Sequence, residues 1–204
     1  MKTDKFNYDL PEHLIAQYPS SQRVDSKLLV VLESIQHQVF KDIGNYINKG
    51  DLLILNTTSV IPARLYGKKS TGGKIEILLE RFLPYHQTLT QIRSTRSPKE
   101  GAELVFEFKG KTFLATVKGR QDNFFILDWS DDPKSLFEQY GQIPLPPYMN
   151  RAAEKLDKER YETIYADHDK KESVAAPTAG MHFDQELLNA LKDNGIEFGY
   201  VNLH

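Results

Sequence analysis

Two textures of apolar and polar positions divide the chain. Between Val60 and Trp129 apolar residues come in short runs broken by turn residues, and the pattern predicts strands over 63–66, 74–83, 88–93, 103–108, 112–117 and 124–129. Turn signals separate them at Gly67, Thr71 to Gly73, Pro84, Pro98 to Gly101, Gly110 and Gly119. Short strands at this spacing predict a small antiparallel barrel or sandwich.

The flanks read differently. Asp9 is placed to cap a short helix holding Pro11 and Glu12 in its first turn, with Leu14 and Ile15 facing inward. The apolar runs 28–32 and 52–56 suit buried strands, and Phe40, Ile43 and Ile47 have helical spacing. Residues 144–148, Pro-Leu-Pro-Pro-Tyr, form a stiff extended connector, and 151–166 read as helical or irregular. Near the end, 173–176 read as the end of a strand that Pro177 stops. Gly180 is free to take a positive φ, Asp184 caps a helix over 185–194, and Gly195 suits a left-handed C-cap. That helix sets Leu187, Leu188 and Leu191 on one face, and 198–204 read as a second strand. The result is a βαβ unit whose small-residue loop lies at the carboxyl end of its first strand, where α/β folds bind ligands. The expected fold is α/β, with residues 1–60 and 149–204 forming one discontinuous body and 61–148 an inserted β module.

Composition narrows the class. The 204 residues suffice for one large or two small domains, and the absence of cysteine excludes disulfides and thiolate metal sites. No apolar leader follows Met1, and no run of about 18 apolar residues occurs, so a soluble cytoplasmic protein without membrane contact is expected. The net charge of −2 conceals an asymmetry: residues 61–120 hold 12 Lys or Arg against 5 Asp or Glu, or +7, which leaves −9 for the rest. A basic β module facing a polyanion would produce this pattern, and so would a solvated charged surface.

Candidate chemistry gathers on two polar loops. His182 lies between the small-residue loop and a helix start, where a neutral imidazole can move a proton. Asn56 and Thr57 follow a strand at its carboxyl end and present hydrogen-bonding groups at the same rim as Thr178. Ser173 and Asp184 near His182 suggest a hydrolase triad, but no Gly-x-Ser-x-Gly elbow supports it. The six histidines form no metal-binding pair, so no metal is expected, and His168 reads as part of a solvated loop. Arg93, Arg96 and Lys99 surround a turn from which phosphates are easily reached. The residues alone give a pocket and a basic neighbour, not a reaction.

Several long words in fixed order carry a resemblance. They are Tyr8-Asp-Leu-Pro11 with Leu14-Ile-Ala16, Gly50-Asp-Leu-Leu53, Val60-Ile-Pro-Ala-Arg-Leu65, Gly72-Gly-Lys74, Pro144-Leu-Pro-Pro-Tyr148 with Arg151, Asp157-Lys-Glu-Arg-Tyr161 with Tyr165-Ala166, and Ser173-Val-Ala-Ala-Pro-Thr-Ala-Gly180 with His182-Phe183. The chain resembles the S-adenosylmethionine:tRNA ribosyltransferase-isomerases of queuosine biosynthesis along its whole length. The resemblance implies transfer and isomerisation of the ribosyl group of S-adenosylmethionine, a co-substrate, onto the aminomethyl-deazaguanine base at the tRNA wobble position. Epoxyqueuosine forms, and adenine and methionine leave. In the mechanism proposed for the family, a base removes a proton from the ribose carbon beside the sulfonium, adenine departs, the aminomethyl nitrogen attacks, and methionine leaves as the epoxide closes. It implies a barrel-like α/β body with an inserted small antiparallel β-barrel, and no metal.

Carried over by position, the resemblance makes His182 the first choice for proton transfer and lines the S-adenosylmethionine pocket with Pro177, Thr178, Ala179, Gly180 and Phe183. Arg64, Arg151 and Arg160 would hold carboxylate or phosphate groups, and Tyr148 or Tyr161 would stack on a base. Three departures stand out. Thr57 and Ser59 occupy positions where the family usually has an acidic or amide residue and then a basic one, and Arg93-Ser94 replaces a basic residue followed by proline. The family also continues past the position of His204 through a Val-Gly-x-Gly-Thr-Phe stretch, so the body is expected to be incomplete at its C-terminus, as a truncated product, a fragment, or a half that pairs with a second chain. Rival readings are a non-catalytic RNA-binding remnant and a fragment that needs a partner chain.

Overall fold

The computed structural model describes residues 2–149 and 151–203. In chain order, a hairpin of β1 (Lys27–Val31) and β2 (Ile35–Val39) precedes β3 (Leu52–Asn56) and β4 (Ser59–Val60). Then come β5 (Arg64–Lys69), β6 (Lys74–Leu83), β7 (Gln87–Ser94), β8 (Glu103–Phe108), β9 (Lys111–Gln121), β10 (Phe124–Trp129) and the helix α1 (Pro133–Tyr140). The short helix α2 (Lys155–Arg160), β11 (Lys171–Ser173), α3 (Gln185–Asp193) and β12 (Glu197–Val201) follow.

Strands β5 to β10 close into an antiparallel barrel in the order β10-β7-β6-β5-β8-β9. Alternation explains the closure: Ile75, Ile77 and Leu79 of β6, Leu104 and Phe106 of β8, Ala115 and Val117 of β9, and Phe125, Leu127 and Trp129 of β10 all turn into one core. Register shifts at Leu79/Arg81 and Ile126/Leu127 supply the local bends that a closed sheet needs. Phe106 packs on Trp129 with ring centres 5.0 Å apart, and the Trp129 indole N–H donates to the buried Thr88 hydroxyl at 2.9 Å. Gly67 makes room for this: a side-chain carbon there would sit 2.6 Å from the Phe106 ring.

Helix α1 is absent from the sequence reading. Asp132 caps it by accepting from the Lys134 and Ser135 backbone N–H groups, Pro133 opens it, and Leu136 and Phe137 enter the barrel core. Arg64 and Gln142 exchange two backbone hydrogen bonds, of 3.1 and 2.8 Å, so the chain enters and leaves the barrel side by side.

The flanking α/β part is built on two parallel pairs. β12 pairs with β3 in unbroken register from Leu52↔Glu197 to Asn56↔Val201, and β11 pairs with β4. Helix α3 links β11 to β12, capped by Asp184, whose side chain accepts from the Leu187 N–H, and closed by Gly195 at φ +82°. It buries Leu191 against Phe40, Leu55, Phe183 and Ile196. The expected strand–loop–helix–strand unit is there, but its strands lie in separate pairs.

Several expectations are corrected. Residues 28–32 do not form a buried strand: β1 is half of a two-stranded hairpin, and Leu29, Val31, Leu32 and Ile35 are exposed. A two-stranded ribbon has only one face to cover, which the apolar run does not reveal. In β3, Leu55 is buried while Leu52 and Ile54 face outward. Leu14 is exposed, on a single 3-10 turn preceded by Pro11, not Asp9. Phe40–Tyr46 is a 3-10 helix that buries only Phe40.

An arginine docks the N-terminal segment. Arg151 makes two 2.7 Å hydrogen bonds to the Asp157 carboxylate, donates through Nε to the Gln17 carbonyl, and lies 4.5 Å over the Tyr18 ring. Asp157 also accepts from the Glu154 N–H at the start of α2. These contacts, the Arg151 hydrogen bonds first, hold its carboxyl below the usual range.

Phe106→Ala is expected to destabilise the barrel by about 3–5 kcal/mol, read by chemical denaturation, because it empties the centre of the core. Asp157→Asn should cost about 3 kcal/mol at pH 7 by stranding Arg151. The Asp157 contribution is full above the unfolded carboxyl value and is lost as pH falls through the lower folded value. The difference between the two proteins therefore shrinks below about pH 4, which denaturation at stepwise lower pH would show.

Candidate functional site

The loop after β11 is held open by its small residues. The Ser173 hydroxyl accepts from the Ala175 N–H and donates to the Ala175 carbonyl, and Pro177 precedes a 3-10 turn over Thr178–His182. Gly180 is buried and does not use a positive φ; a side-chain carbon there would lie 2.2 Å from the Tyr165 hydroxyl and 2.9 Å from Thr163. Glycine is required for close approach, not for backbone freedom. Pro177 is half-buried, Thr178 and Ala179 are exposed, and Phe183 is buried edge-on to Phe40 at 4.9 Å.

His182 is half-buried with its ring 5.3 Å from Phe40. Burial, then the charges of Arg23 and Arg160, hold its imidazole below the ordinary value of 6.5, so it is neutral at pH 7. Arg23 donates to the Met181 and Glu159 carbonyls, and Arg160 to those of Ser20 and Ser21. The pair thus fastens the N-terminal segment beside the His182 turn.

The other expected anion-holding arginines are also engaged within the chain. Arg151 holds Asp157, and Arg64 contacts Glu76 at 3.1 Å and donates to the Leu145 carbonyl. Asn56 and Thr57 serve the seam between β3 and β12. The Asn56 Oδ1 accepts from the Thr58 and Leu203 N–H groups, and the Thr57 N–H and hydroxyl both donate to the Val201 carbonyl.

A cavity of about 840 Å³ opens where the barrel meets the α/β part. Arg81, Phe82, Lys134 and Glu138 line it from the barrel side, with Ser59 to Pro62 and Ile143 at the junction and Lys158, Tyr161, Glu162, His168 and Asp169 opposite. Tyr161 is the one predicted site residue in this lining; burial raises its phenol, which stays protonated. Tyr148, the last residue of the connector, is exposed. Arg93, Arg96 and Lys99 are exposed on the barrel, apart from the cavity.

Three cavity residues were not singled out together by the sequence. The fully buried Ser59 donates to Glu162 Oε1 at 2.5 Å, and the exposed His168 sets its Nδ1 3.4 Å from the Ser59 hydroxyl and 3.8 Å from that carboxylate. Serine and carboxylate approach the same ring nitrogen, so this is not the relay of a hydrolase triad, in which the imidazole stands between them. More than a hundred residues separate Ser59 from the other two, and no local pattern marks them. Among the described residues no three His, Asp or Glu side chains are grouped to hold a metal ion, and no helix is long and apolar enough to cross a membrane.

Comparison with known proteins gives one answer. The chain is 47% identical over 208 residues to the S-adenosylmethionine:tRNA ribosyltransferase-isomerase of Acinetobacter baylyi, an alignment covering 100% of this chain and 59% of that protein. The crystal structure of an S-adenosylmethionine tRNA ribosyltransferase from Thermotoga maritima matches 98% of this chain and 58% of its own, at 32% identity and a TM-score of 0.39. The signature of the queuosine biosynthesis proteins matches residues 3–204, and the chain belongs to that family.

Proposed function

We propose that this chain acts in the transfer and isomerisation of the ribosyl group of S-adenosylmethionine onto 7-aminomethyl-7-deazaguanine at the tRNA wobble position, forming epoxyqueuosine and releasing adenine and methionine. The observation that carries the reading is the 47% identity, sustained along 100% of this chain, to an enzyme named for that pair of substrates. In this reading, residues 1–60 and 149–204 belong to a barrel-like α/β body, 61–148 are its inserted module, and the reaction takes place in the cytoplasm.

The cavity at the junction suits the smaller substrate. Its volume of about 840 Å³ lies in the range of small-molecule sites, roughly 300–1,000 Å³. Apolar walls from Val60, Ile61, Phe82 and Ile143 stand beside charged groups of both signs, as a ligand with a purine, a sulfonium, an ammonium and a carboxylate requires. Tyr161 offers a ring for the adenine, and the exposed Tyr148 one for a base of the tRNA. His182, neutral at pH 7 and outside the lining of this cavity, is assigned to proton removal from the ribose carbon beside the sulfonium by its place in the family motif, not by the cavity's geometry. Arg64, Arg151 and Arg160 act mainly through the frame they hold, since each already donates to the chain, although among the described residues the buried Nε of Arg64 and of Arg160 has no hydrogen-bond partner. On the barrel, Arg93, Arg96 and Lys99 meet tRNA phosphates.

Incubating the chain with S-adenosylmethionine and tRNA bearing the aminomethyl-deazaguanine base should release free adenine in step with base modification, and no adenine from the folded protein would refute the reading. His182→Gln should lower kcat by roughly 10²–10⁴-fold without a matching loss of stability. With the proton accepted by a neutral, depressed imidazole, the acidic limb of kcat/KM should turn below 6.5 in the unsubstituted protein and be absent in the variant. Replacing Arg93, Arg96 and Lys99 together by Gln should weaken tRNA binding and flatten its salt dependence by about 2–3 in log–log slope, leaving S-adenosylmethionine binding unchanged.

A further inference from the structure

The carboxylate of Glu162 is the feature of the cavity least explained by the fold. It stands in the lining with its side chain 23% exposed. The hydroxyl that orients it belongs to Ser59, a residue with no exposed surface on a strand paired to β11. Burying a serine beneath a carboxylate fixes that carboxylate's direction.

Among the described side chains no committed cation balances it. Among the described residues its one ion-pair contact is His168 at 3.8 Å, an exposed imidazole that is charged only when protonated. Arg23 acts on Glu162 through space, but spends both terminal guanidinium nitrogens on the Met181 and Glu159 carbonyls. Lys158, Lys134 and Arg81 share the cavity wall but form no ion pair with Glu162, and Glu138 and Asp169 add negative charge to the same lining. A partly buried carboxylate in this setting favours a ligand that brings its own positive charge. The Tyr161 ring, next in the chain and in the same wall, adds an aromatic surface that attracts cations.

We propose that Glu162, oriented by Ser59, is the anion that receives a positive group of the small-molecule substrate in this cavity. The assignment rests on the functional reading above and extends it to a residue which that reading does not use. Two groups of S-adenosylmethionine carry positive charge, the sulfonium and the ammonium. The sulfonium has no N–H to donate and is held only by opposite charge and aromatic faces, which is what Glu162 and Tyr161 supply. Ser59 is a positioning residue: it meets the ligand only through the carboxylate.

The test is titration of the folded 204-residue chain with S-adenosylmethionine and with S-adenosylhomocysteine, which keeps the ammonium and lacks the sulfonium charge. Glu162→Gln, close in shape, should weaken S-adenosylmethionine binding by about 10- to 100-fold, the worth of one charged contact. If S-adenosylhomocysteine binding is unchanged, Glu162 meets the sulfonium; an equal loss for both assigns it to the ammonium. Ser59→Ala should give a smaller loss and add nothing in the Glu162→Gln background, as expected of a residue acting through its partner. Unchanged affinity for both molecules in a Glu162→Gln protein that melts like the parent overturns the inference alone. Failure of the unsubstituted chain to bind either molecule overturns the functional reading, and this assignment with it.

Discussion

A closed barrel can sit within another fold only if its two ends meet, and here the meeting is made by two backbone hydrogen bonds between Arg64 and Gln142. Everything that approaches the cavity hangs from that junction. Upstream, β4 runs straight into it through Ile61 and Ala63, both buried. Downstream, Ile143 and Leu145 pack with Val60 and Ala176 in a small core of their own. The Arg64 side chain ties Leu145 to Glu76 of the barrel wall. The cavity walls therefore come from both parts, and their spacing is fixed by the one place where the chain passes between them.

The seam of β3 and β4 performs the same service for the α/β part. The turn of Asn56, Thr57 and Thr58 lets one continuous segment accept β12 on its first half and β11 on its second. Asn56 and Thr57 thus work mainly on Val201 and Leu203, and the polar loop that looks ready for a ligand is largely satisfied by the chain itself. The arginines follow the same rule. A guanidinium with five donors in a fixed plane is as good at gathering carbonyls as at holding an anion. Arg23, Arg151 and Arg160 gather those of the N-terminal segment and the His182 turn.

The sequence was most legible where period-two alternation meets closed geometry. Ile75, Ile77 and Leu79 mark β6 because every second residue must enter a barrel, and the limits of β6, β8 and β10 match the pattern. It was least legible where burial depends on partners distant in the chain. The apolar residues of β1 read as core, yet a two-stranded hairpin leaves Leu29 and Val31 uncovered. Helix α1 carried a local signal, Asp132-Pro133 ahead of Leu136 and Phe137, that the run of strands obscured. At the site, the word around His182 was visible as a loop of small residues. The Ser59–Glu162–His168 group was not, because only the folded chain brings β4 and the loop after α2 together.

The buried Trp129 has a use beyond packing. It is the chain's single tryptophan, enclosed with Phe106 and Phe137 and hydrogen-bonded to Thr88, all inside the barrel. Indole emission therefore reports the barrel's interior and is blind to the α/β part, whereas far-ultraviolet circular dichroism sums over both. If the junction at Arg64 makes the two halves one cooperative unit, the two signals will follow a single curve on heating. A separation between them would measure how much of the protein's cohesion the junction transmits.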